Sequence, residues 1–450
     1  MDSHAQQTDK PRGQLSGPED ALMLTRREMI VRTAAAGVSA MAYPGVARAS
    51  KPINTTGRGF TLRVLGTHVT LQEQIRRAAE ADLGFKVEFT PGGSASVLQQ
   101  ASTRPESFDV YEQWSNSINI LWRSGAIQPL ETERIDQWSS INPISKTGRL
   151  SAGDRIGAGD APNTLLYVQP GNMLGKRSSG RVSFLPYVHN VDSFGYDTRH
   201  VPIGEAYSEE SWGWLLDERW RGRVAVVNEP TIGLFDLALA AQAKGLIKFK
   251  NIGNMTVAEI DRLFEILVGL KREGHFTGVW NSVPESVGFM QSGRAVIESM
   301  FSPGASALRA SGVPVRYAAP KEGYRAWHGV MCLSSACSEQ ASDAAYAYMN
   351  WWLSGRAGAV MARQGYYISV PDPIRTYMTQ DEWAYWYAGE TARAELLGTD
   401  GRVIAREGER RSGGSYEERF SKIAVWNTVM DNYEHSLTRW GEFLTTEAAA

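Results

Sequence analysis

The sequence has little cysteine, little histidine, no long apolar run and almost no net charge. Its 450 residues include 2 Cys and 7 His, with 47 Lys and Arg against 49 Asp and Glu. Two cysteines exclude a small scaffold held together by disulfides. The histidines include no pair spaced four residues apart, which argues against a helical zinc site. The balanced charge argues against nucleic acid as the main partner.

Aromatic side chains are abundant instead, with 14 Trp, 17 Tyr and 14 Phe. The overall composition, 42% hydrophobic and 21% charged, is that of an ordinary globular protein. The length predicts two or three domains at roughly 150 residues per domain. Most aromatic residues belong to cores, and the surplus is consistent with some of them lining a ligand site.

The first 49 residues have the layout of a cleavable export signal. A charged segment with Arg26 and Arg27 precedes a weakly apolar stretch over residues 33–46, and a small-x-small sequence follows at 47–49. The arginine pair resembles the twin-arginine signal, and the apolar stretch is shorter than the roughly 20 residues that span a bilayer. We therefore expect residues 1–49 to be a twin-arginine-type signal peptide. The mature protein is then expected to be periplasmic, soluble and not lipidated, since this segment contains no Cys.

After the signal, short β-rich runs alternate with helical patterns. Strands are expected over residues 60–65, 85–89 and 108–111, and helices over 71–83 and from the cap Ser94 onward. This order predicts βαβ units and a largely parallel sheet, in which ligands lie beyond the carboxyl ends of the strands. The residues after the first and third strands are therefore candidate ligand contacts: Thr67, His68, Trp114, Ser115 and Asn116.

A second α/β unit is expected from residue 183 onward. Its clearest strands and helices are predicted over residues 223–227, 325–333, 257–273 and 341–353. The sequence from Asn228 to Thr231 is expected to cap the helix that follows it. We interpret residues 144–182 as an inserted loop with one strand, and the chain beyond Pro371 as helical with a charged, Gly-rich loop.

Several motifs occur in an order that resembles one protein family. They are Phe108-Asp109-Val110, Gly125 to Leu130, Phe184 to Tyr187, Phe194 to Asp197, Ser211 to Leu216, Phe289 to Ala295, and Gly365-Tyr366-Tyr367. Over about residues 60–375 this series resembles the extracellular solute-binding proteins of ABC transporters, in particular the spermidine/putrescine-binding-like group. The resemblance implies a two-lobed α/β fold of the periplasmic-binding-protein type (type II), with mixed, mostly parallel sheets, flanking helices and a ligand cleft between the lobes. One lobe is expected to comprise residues 60–187 and 303–355, and the other residues 188–302 and 356–450 with C-terminal helices.

The resemblance also implies which residues contact the solute. Trp327 and Phe301 match aromatic positions at strand ends, and Tyr366 matches a Gly-Tyr position. Glu229, followed closely by Thr231, stands where polyamine-binding relatives carry several acidic residues. In that group, aromatic faces and carboxylates hold a cationic solute. With one carboxylate at these positions, we expect a smaller or monovalent solute rather than a long diamine.

The implied function is that of an exported solute-binding component of an ABC importer. Closure of the two lobes would capture a small organic solute that contains an amine or another cation, and membrane permease subunits would receive it. A protein of this kind is expected to be a monomer, with no catalytic residues, no metal and no cofactor, and without a nucleic-acid partner.

Other interpretations stay open at the level of sequence. The adjacent Tyr366 and Tyr367 allow a ferric-iron-binding transport protein, and a twin-arginine signal is compatible with an exported enzyme. Individual site residues also have structural interpretations, in which the two tryptophans belong to a core, Glu229 caps a helix and His68 is a solvated turn residue. Cys332 and Cys337 allow either a disulfide in an oxidising compartment or two free thiols.

Overall fold

A computed structural model describes residues 60–448 of the chain, so the predicted signal peptide lies outside the described residues. Eighteen strands are assigned in this part. In chain order, β1 to β9 are Thr61–Thr67, Lys86–Gly92, Val110–Trp114, Ile127–Gln128, Leu130–Glu131, Tyr167–Val168, Leu174–Gly175, Arg181–Val182 and Leu185–Asp197. β10 to β18 are Val224–Val227, Phe276–Trp280, Ile297–Met300, Val315–Tyr317, Tyr324–Ser334, Tyr367–Ile368, Leu396–Leu397, Val403–Ala405 and Ile423–Trp426.

Thirteen α-helices accompany these strands within residues 60–448. The first seven, α1 to α7, are Glu73–Leu83, Ser94–Thr103, Ile118–Arg123, Pro143–Thr147, Gly233–Ala243, Val257–Arg272 and Val283–Gln291. The other six, α8 to α13, are Ser302–Ala310, Glu339–Leu353, Arg356–Ala362, Gln380–Trp386, Tyr416–Phe420 and Tyr433–Thr445. Short 3-10 turns fill several of the connections.

Most strands belong to one mixed sheet whose main path runs β11-β10-β12-β9-β14-β3-β1-β2. The three strands at one end, β2, β1 and β3, are parallel to one another. At the other end, β11, β10 and β12 are also parallel. Two long antiparallel strands, β9 and β14, join the two parallel groups.

The two joining strands are buried along their whole length. All 13 residues of β9 and all 11 residues of β14 are buried. The strands pair from Arg325 opposite Asp192 to Met331 opposite Leu185. Together they connect the two halves of the sheet, because β14 also pairs with β3 and β9 also pairs with β12.

Two large apolar clusters lie on either side of this pair of strands. The first core contains side chains of β1, β2, β3 and α9, such as Leu62, Val110 and Met349. The second core contains side chains of β10, α5 and α6, such as Val224 and Leu263. The α/β composition predicted from the sequence is therefore present, with one core for each parallel group of strands.

The predicted helix over 257–273 is confirmed as α6. Its first turn and its apolar face both follow from the local sequence. Thr256 accepts a hydrogen bond from the backbone N–H of Glu259, and the Glu259 side chain returns the contact in a capping box. Ile260, Leu263 and Leu267 are buried on one face, as the apolar spacing predicts.

Two regional predictions are corrected. The segment 144–182 contains three short strands, β6, β7 and β8, instead of one, and they form a small sheet with β5. The chain beyond Pro371 is only partly helical, because β16, β17 and β18 lie within it. β18 joins β14 as a parallel neighbour at Tyr324 to Ala326. The two cysteines, Cys332 and Cys337, are free thiols.

Candidate functional site

Three of the predicted aromatic residues lie together beside the joining strands. The ring centroids of Trp114 and Trp327 are 4.8 Å apart in an edge-to-face arrangement. Tyr366 also packs against Trp327 in an edge-to-face arrangement, at 5.4 Å. The register of the sheet causes this meeting, because Trp114 at the end of β3 pairs with Gly329 of β14, two residues after Trp327. We call these three residues the aromatic cluster.

Glu229 lies at the boundary between two sides of the molecule, the first-core side with β1 to β3 and the second-core side with β10 to β12. One carboxylate oxygen accepts a hydrogen bond of 2.6 Å from the hydroxyl of Ser94, the first residue of α2. The other oxygen accepts from the hydroxyl of Thr231 at 3.0 Å. The backbone carbonyl of Ser94 in turn accepts from the side chain of Gln113, the neighbour of Trp114. Glu229 is therefore connected to the β3 end that carries the aromatic cluster.

This contact corrects two predictions about capping. Helix α2 has Gly93 rather than Ser94 at its cap, with no side-chain hydrogen bond, and the Ser94 hydroxyl points to Glu229 instead. Helix α5 has Ile232 at its cap, again without a side-chain cap. Residues that are common helix caps thus take part in a contact between elements that are distant in sequence.

The polar residues predicted at the strand ends are mostly buried. Thr67 is 5% exposed, Ser115 5% and Asn116 6%, so these side chains are hardly accessible in this conformation. The side-chain oxygen of Asn116 has no hydrogen-bond partner within the described residues. Buried acceptors usually have a partner, so this oxygen is a candidate contact for a bound molecule. His68, in contrast, is exposed in the turn after β1.

Phe301 lies apart from the aromatic cluster. It is half-buried at the start of α8, and its ring packs edge-on against Trp280 at a centroid distance of 5.1 Å. Trp280 is at the end of β11 and donates its indole N–H to the carbonyl of Ser299. The structure thus gives Phe301 an aromatic neighbour that the sequence analysis did not single out.

Asp192 is a buried carboxylate next to the aromatic cluster, and it is not among the residues predicted from the sequence. It is 1% exposed, and one of its oxygens accepts a 2.7 Å hydrogen bond from the indole N–H of Trp327. Burial raises the pKa of this carboxyl group, while the charge of Arg325 and the hydrogen bond from Trp327 oppose the rise. Burial also raises the pKa of Tyr366, and the negative charge of Asp192 adds to that effect.

A polar cavity of about 300 Å³ lies between the first-core side and the second-core side of the molecule. Its lining includes Asn119 of α3, Asp160 and Thr164 of the inserted segment, and Asn254 and Asp431. Burial raises the pKa of Asp160, a hydrogen bond from Thr428 opposes the rise, and the charge of Asp431 adds to it. None of the ten residues predicted from the sequence lines this cavity.

The geometry does not favour an iron site at the two adjacent tyrosines. Tyr366 packs on Trp327, whereas the hydroxyl of Tyr367 donates to the carbonyl of Trp386 and its ring packs on Phe420. The two side chains diverge, as alternation along an extended segment requires. Within residues 60–448, no group of three or more His, Cys, Asp or Glu is arranged to hold a metal ion.

The chain is similar to known proteins in sequence pattern and in fold. Residues 74–388 match the family model of bacterial extracellular solute-binding proteins. No curated protein matches the chain significantly in sequence. Similar solved structures include the Tp0655 (TpPotD) lipoprotein of Treponema pallidum, with a TM-score of 0.60, 12% identity, and 85% and 99% of the two chains covered.

Two further structures show the same likeness. The spermidine/putrescine ABC transporter substrate-binding protein PotD of Streptococcus pneumoniae has a TM-score of 0.57 and 13% identity, and the match covers 86% of this chain and 99% of that chain. An ABC transporter substrate-binding protein of Bradyrhizobium japonicum has a TM-score of 0.55 and 14% identity, with the same shares of both chains covered. At these identities the likeness establishes the fold, and the periplasmic-binding-protein-like fold predicted from the sequence is confirmed.

Within residues 60–448 there is no helix with the length and apolar character that a membrane crossing requires. The family match covers well over half of the chain and includes most of both cores. The chain therefore belongs to the family of bacterial extracellular solute-binding proteins.

Proposed function

We propose that this protein is the exported solute-binding component of an ABC importer and that it captures a small, monovalent organic cation. The observation that carries the proposal is the combination of the aromatic cluster with Glu229, joined through Ser94 and Gln113. Aromatic faces attract a cation and exclude water, and a carboxylate adds Coulombic attraction to the same positive charge. The structural neighbour from Streptococcus pneumoniae, described as a spermidine/putrescine protein, is consistent with this chemistry.

The preference for one positive charge follows from the charges near the aromatic cluster. Asp192 is already engaged by Trp327 and lies close to Arg325, so it offers little attraction to a solute. Glu229 accepts hydrogen bonds from two neutral hydroxyl groups, and no basic side chain of residues 60–448 forms an ion pair with it, so its charge can attract a cationic solute. The unpartnered oxygen of Asn116 adds a neutral acceptor. One carboxylate and one amide oxygen suit one cationic head group.

Capture is proposed to occur by rotation of the two sides about β9 and β14. These strands are the main connection between the two parallel groups of strands, a geometry that suits hinge closure. The division into lobes at residues 60–187 with 303–355, and 188–302 with 356–450, remains a prediction. The Ser94–Glu229 hydrogen bond joins the two sides and would form when they approach.

The proposal includes export, partners and the absence of catalysis. We propose that residues 1–49 direct twin-arginine export, that the mature protein acts as a monomer in the periplasm, and that permease subunits receive the solute. N-terminal sequencing of the exported protein is expected to begin at Ser50. A mature protein that starts far from this position would contradict the export signal.

The experiment that tests the solute class is calorimetry of the mature chain against choline, putrescine, spermidine, arginine and glucose. We expect choline to bind one-to-one and more tightly than the others, and we expect no binding of glucose. Glu229→Gln should weaken choline binding at least about tenfold, or about 1.4 kcal/mol. The matched control is Asp431→Asn, which removes a carboxylate from the polar cavity and should change the affinity less than about twofold.

Three results would overturn the proposal. Failure of all the cations to bind would contradict the cation class, and tight binding of glucose would replace it with a sugar class. A loss of choline affinity in Asp431→Asn but not in Glu229→Gln would place the solute in the polar cavity instead of at the aromatic cluster.

A further inference from the structure

The carboxylate of Asp192 lies at the centre of a buried hydrogen-bonded network. One oxygen accepts from the indole N–H of Trp327 at 2.7 Å. The other accepts from the side-chain amide of Asn190 at 3.0 Å, and the hydroxyl of Tyr317 lies 3.2 Å from it. The register of β9 and β14 places Arg325 directly opposite Asp192, with a guanidinium nitrogen 3.5 Å from the carboxylate.

Arg325 extends the network to the other side of the molecule. Its Nε donates to Asp236 of α5 at 2.7 Å, and both side chains are fully buried. A terminal nitrogen of Arg325 donates to Asn427, just after β18. Helix α5 begins four residues after Glu229, so the network connects the aromatic cluster to the helix that follows the solute-facing carboxylate.

Trp327 has a single N–H donor, so the position of its acceptor constrains the direction in which the indole N–H points. Asp192 supplies the acceptor on one side of the ring. Trp114 and Tyr366 pack edge-on against the ring at 4.8 and 5.4 Å, and edge-on contacts of this kind depend on ring orientation. The hydrogen bond to Asp192 and the two edge-on contacts together define the observed orientation of the ring.

We propose that Asp192 is a positioning residue of the solute site, which holds the Trp327 indole in the orientation that the solute contacts. The proposal rests on the proposed function in one respect, that Trp327 is a solute contact. Asp236 has a different role, because it binds the same guanidinium and, within residues 60–448, forms no hydrogen bond with Trp327. Replacing Asp192 should therefore change the indole and the affinity together, whereas replacing Asp236 should change stability alone.

The test compares Asp192→Asn with Asp236→Asn. Each variant removes one buried negative charge next to Arg325 and keeps the shape of the side chain. The direct readout is the indole N–H resonance of Trp327 in 15N-labelled, solute-free protein, assigned as the peak that disappears in Trp327→Phe. In Asp192→Asn we expect an upfield shift and faster hydrogen exchange, because a neutral amide oxygen replaces a charged acceptor. In Asp236→Asn the peak should stay close to its wild-type position.

The second readout is affinity for choline, measured with the same variants. We expect Asp192→Asn to weaken binding about tenfold and Asp236→Asn to change it less than about twofold, even if both melt at a lower temperature. An unchanged Trp327 resonance in Asp192→Asn would overturn the proposal. Equal affinity losses in the two variants would also overturn it, because they would indicate a purely structural network.

The two readouts separate this proposal from the proposed function. If wild-type protein binds no choline, the solute class fails, and the solute-free resonance still decides whether Asp192 positions Trp327. If Asp236→Asn does not fold, Arg134→Gln serves as the replacement control, since Arg134 forms an exposed ion pair with Asp343 and neither residue belongs to the network. Its Trp327 resonance and choline affinity should match those of the wild type.

Discussion

The hydroxyl of Ser94 and the carboxylate of Glu229 form a 2.6 Å hydrogen bond between residues 135 positions apart in the sequence. Ser94 begins α2, whose buried residues Val97 and Ala101 belong to the first core. Glu229 precedes α5, which belongs to the second core. The bond therefore holds together the two sides whose separation would open the proposed site.

Removing this hydroxyl should favour a more open protein. In Ser94→Ala the carboxylate of Glu229 keeps the hydrogen bond from Thr231 but loses its hydrogen bond to α2. A hydrogen bond of this type contributes about 1 kcal/mol net. We expect a larger radius of gyration in solute-free Ser94→Ala by small-angle X-ray scattering, and a several-fold weaker affinity for choline.

The control for that variant is Ser96→Ala on the same helix. Ser96 is exposed, and its hydroxyl donates to the carbonyl of Gly93 within its own turn. Its radius of gyration should equal that of the wild type. An identical radius in both variants would mean that the Ser94–Glu229 bond does not hold the two sides together.

Glu112 is expected to make stability depend on pH near neutrality. This residue of β3 is fully buried, and the hydroxyl groups of Tyr348 and Tyr187 donate to its two oxygens at 2.8 and 2.9 Å. Burial raises its pKa from 4.5 to about 7, and the hydrogen bonds oppose the rise. The folded state thus binds the proton more tightly than the unfolded state.

The sign of this effect follows from linkage. The stabilising contribution is complete below pH 4.5 and is lost as the pH rises through about 7. Its size is on the order of 3 kcal/mol for a shift of this kind. We expect the free energy of unfolding, measured with urea, to fall between about pH 5 and about pH 8. Glu112→Gln should remove this dependence on pH. Glu88→Gln, an exposed change on β2, should keep it. A wild-type slope in Glu112→Gln would contradict the assignment.

Features of the fold can be predicted from the sequence where the residues that determine them lie within one continuous segment. Helix α6 is predictable because its cap and its apolar face lie within one segment. The alternation of strands and helices is predictable for the same reason, and so is the placement of Trp114 at the end of β3. In contrast, the role of Asp192 depends on its pairing with Arg325, which is 133 residues away and follows from the register of β9 and β14.

Ser94 and the C-terminal segment show the same limit. The sequence around Ser94 predicts a helix cap, and only the folded chain brings Glu229 within reach of the hydroxyl. Strand β18 was not predicted because a strand of four residues forms here by pairing with β14 rather than by its own pattern. The polar cavity was missed because its lining comes from five separate stretches of the chain.

The stacked histidines of the joining strands should make the protein sensitive to acid. His189 and His328 lie opposite each other in the β9–β14 pairing, with ring centroids 5.0 Å apart. The hydrogen-bond partners of the rings are neutral, namely Tyr416 for His189, and Ser145 and the carbonyl of Gly329 for His328. Burial lowers the pKa of both, that of His328 from 6.5 to about 4, and the proximity of His328 lowers the pKa of His189 further.

For these residues the folded state disfavours the proton, so their stabilising contribution is present above pH 6.5 and is lost as the pH falls towards 4. This trend opposes that of Glu112, and the variants are therefore compared with the wild type at each pH. His328→Asn should lose less stability than the wild type on acidification, because one titrating group is removed. His68→Gln, in the exposed turn after β1, should follow the wild-type curve. If His328→Asn lost as much stability as the wild type on acidification, titration of His328 would not be the cause of the acid sensitivity.

Packing of the inserted segment against the second-core side can be tested with two glycines. A Cβ at Gly253 would lie 2.1 Å from the backbone nitrogen of Gly159, in the inserted segment, whereas a Cβ at Gly269 in α6 would meet nothing within 4 Å. The inserted segment cannot move away freely from a Cβ at Gly253, because backbone hydrogen bonds between Ala158 and β18 also hold this segment.

We expect Gly253→Ala to destabilise the protein by about 2 kcal/mol or more through overpacking. Gly269→Ala should stabilise it by about 0.5–1 kcal/mol, because alanine is the better helix former. Thermal and urea unfolding of both variants measure the difference, and a neutral Gly253→Ala would show that the segment is not packed against this loop in solution.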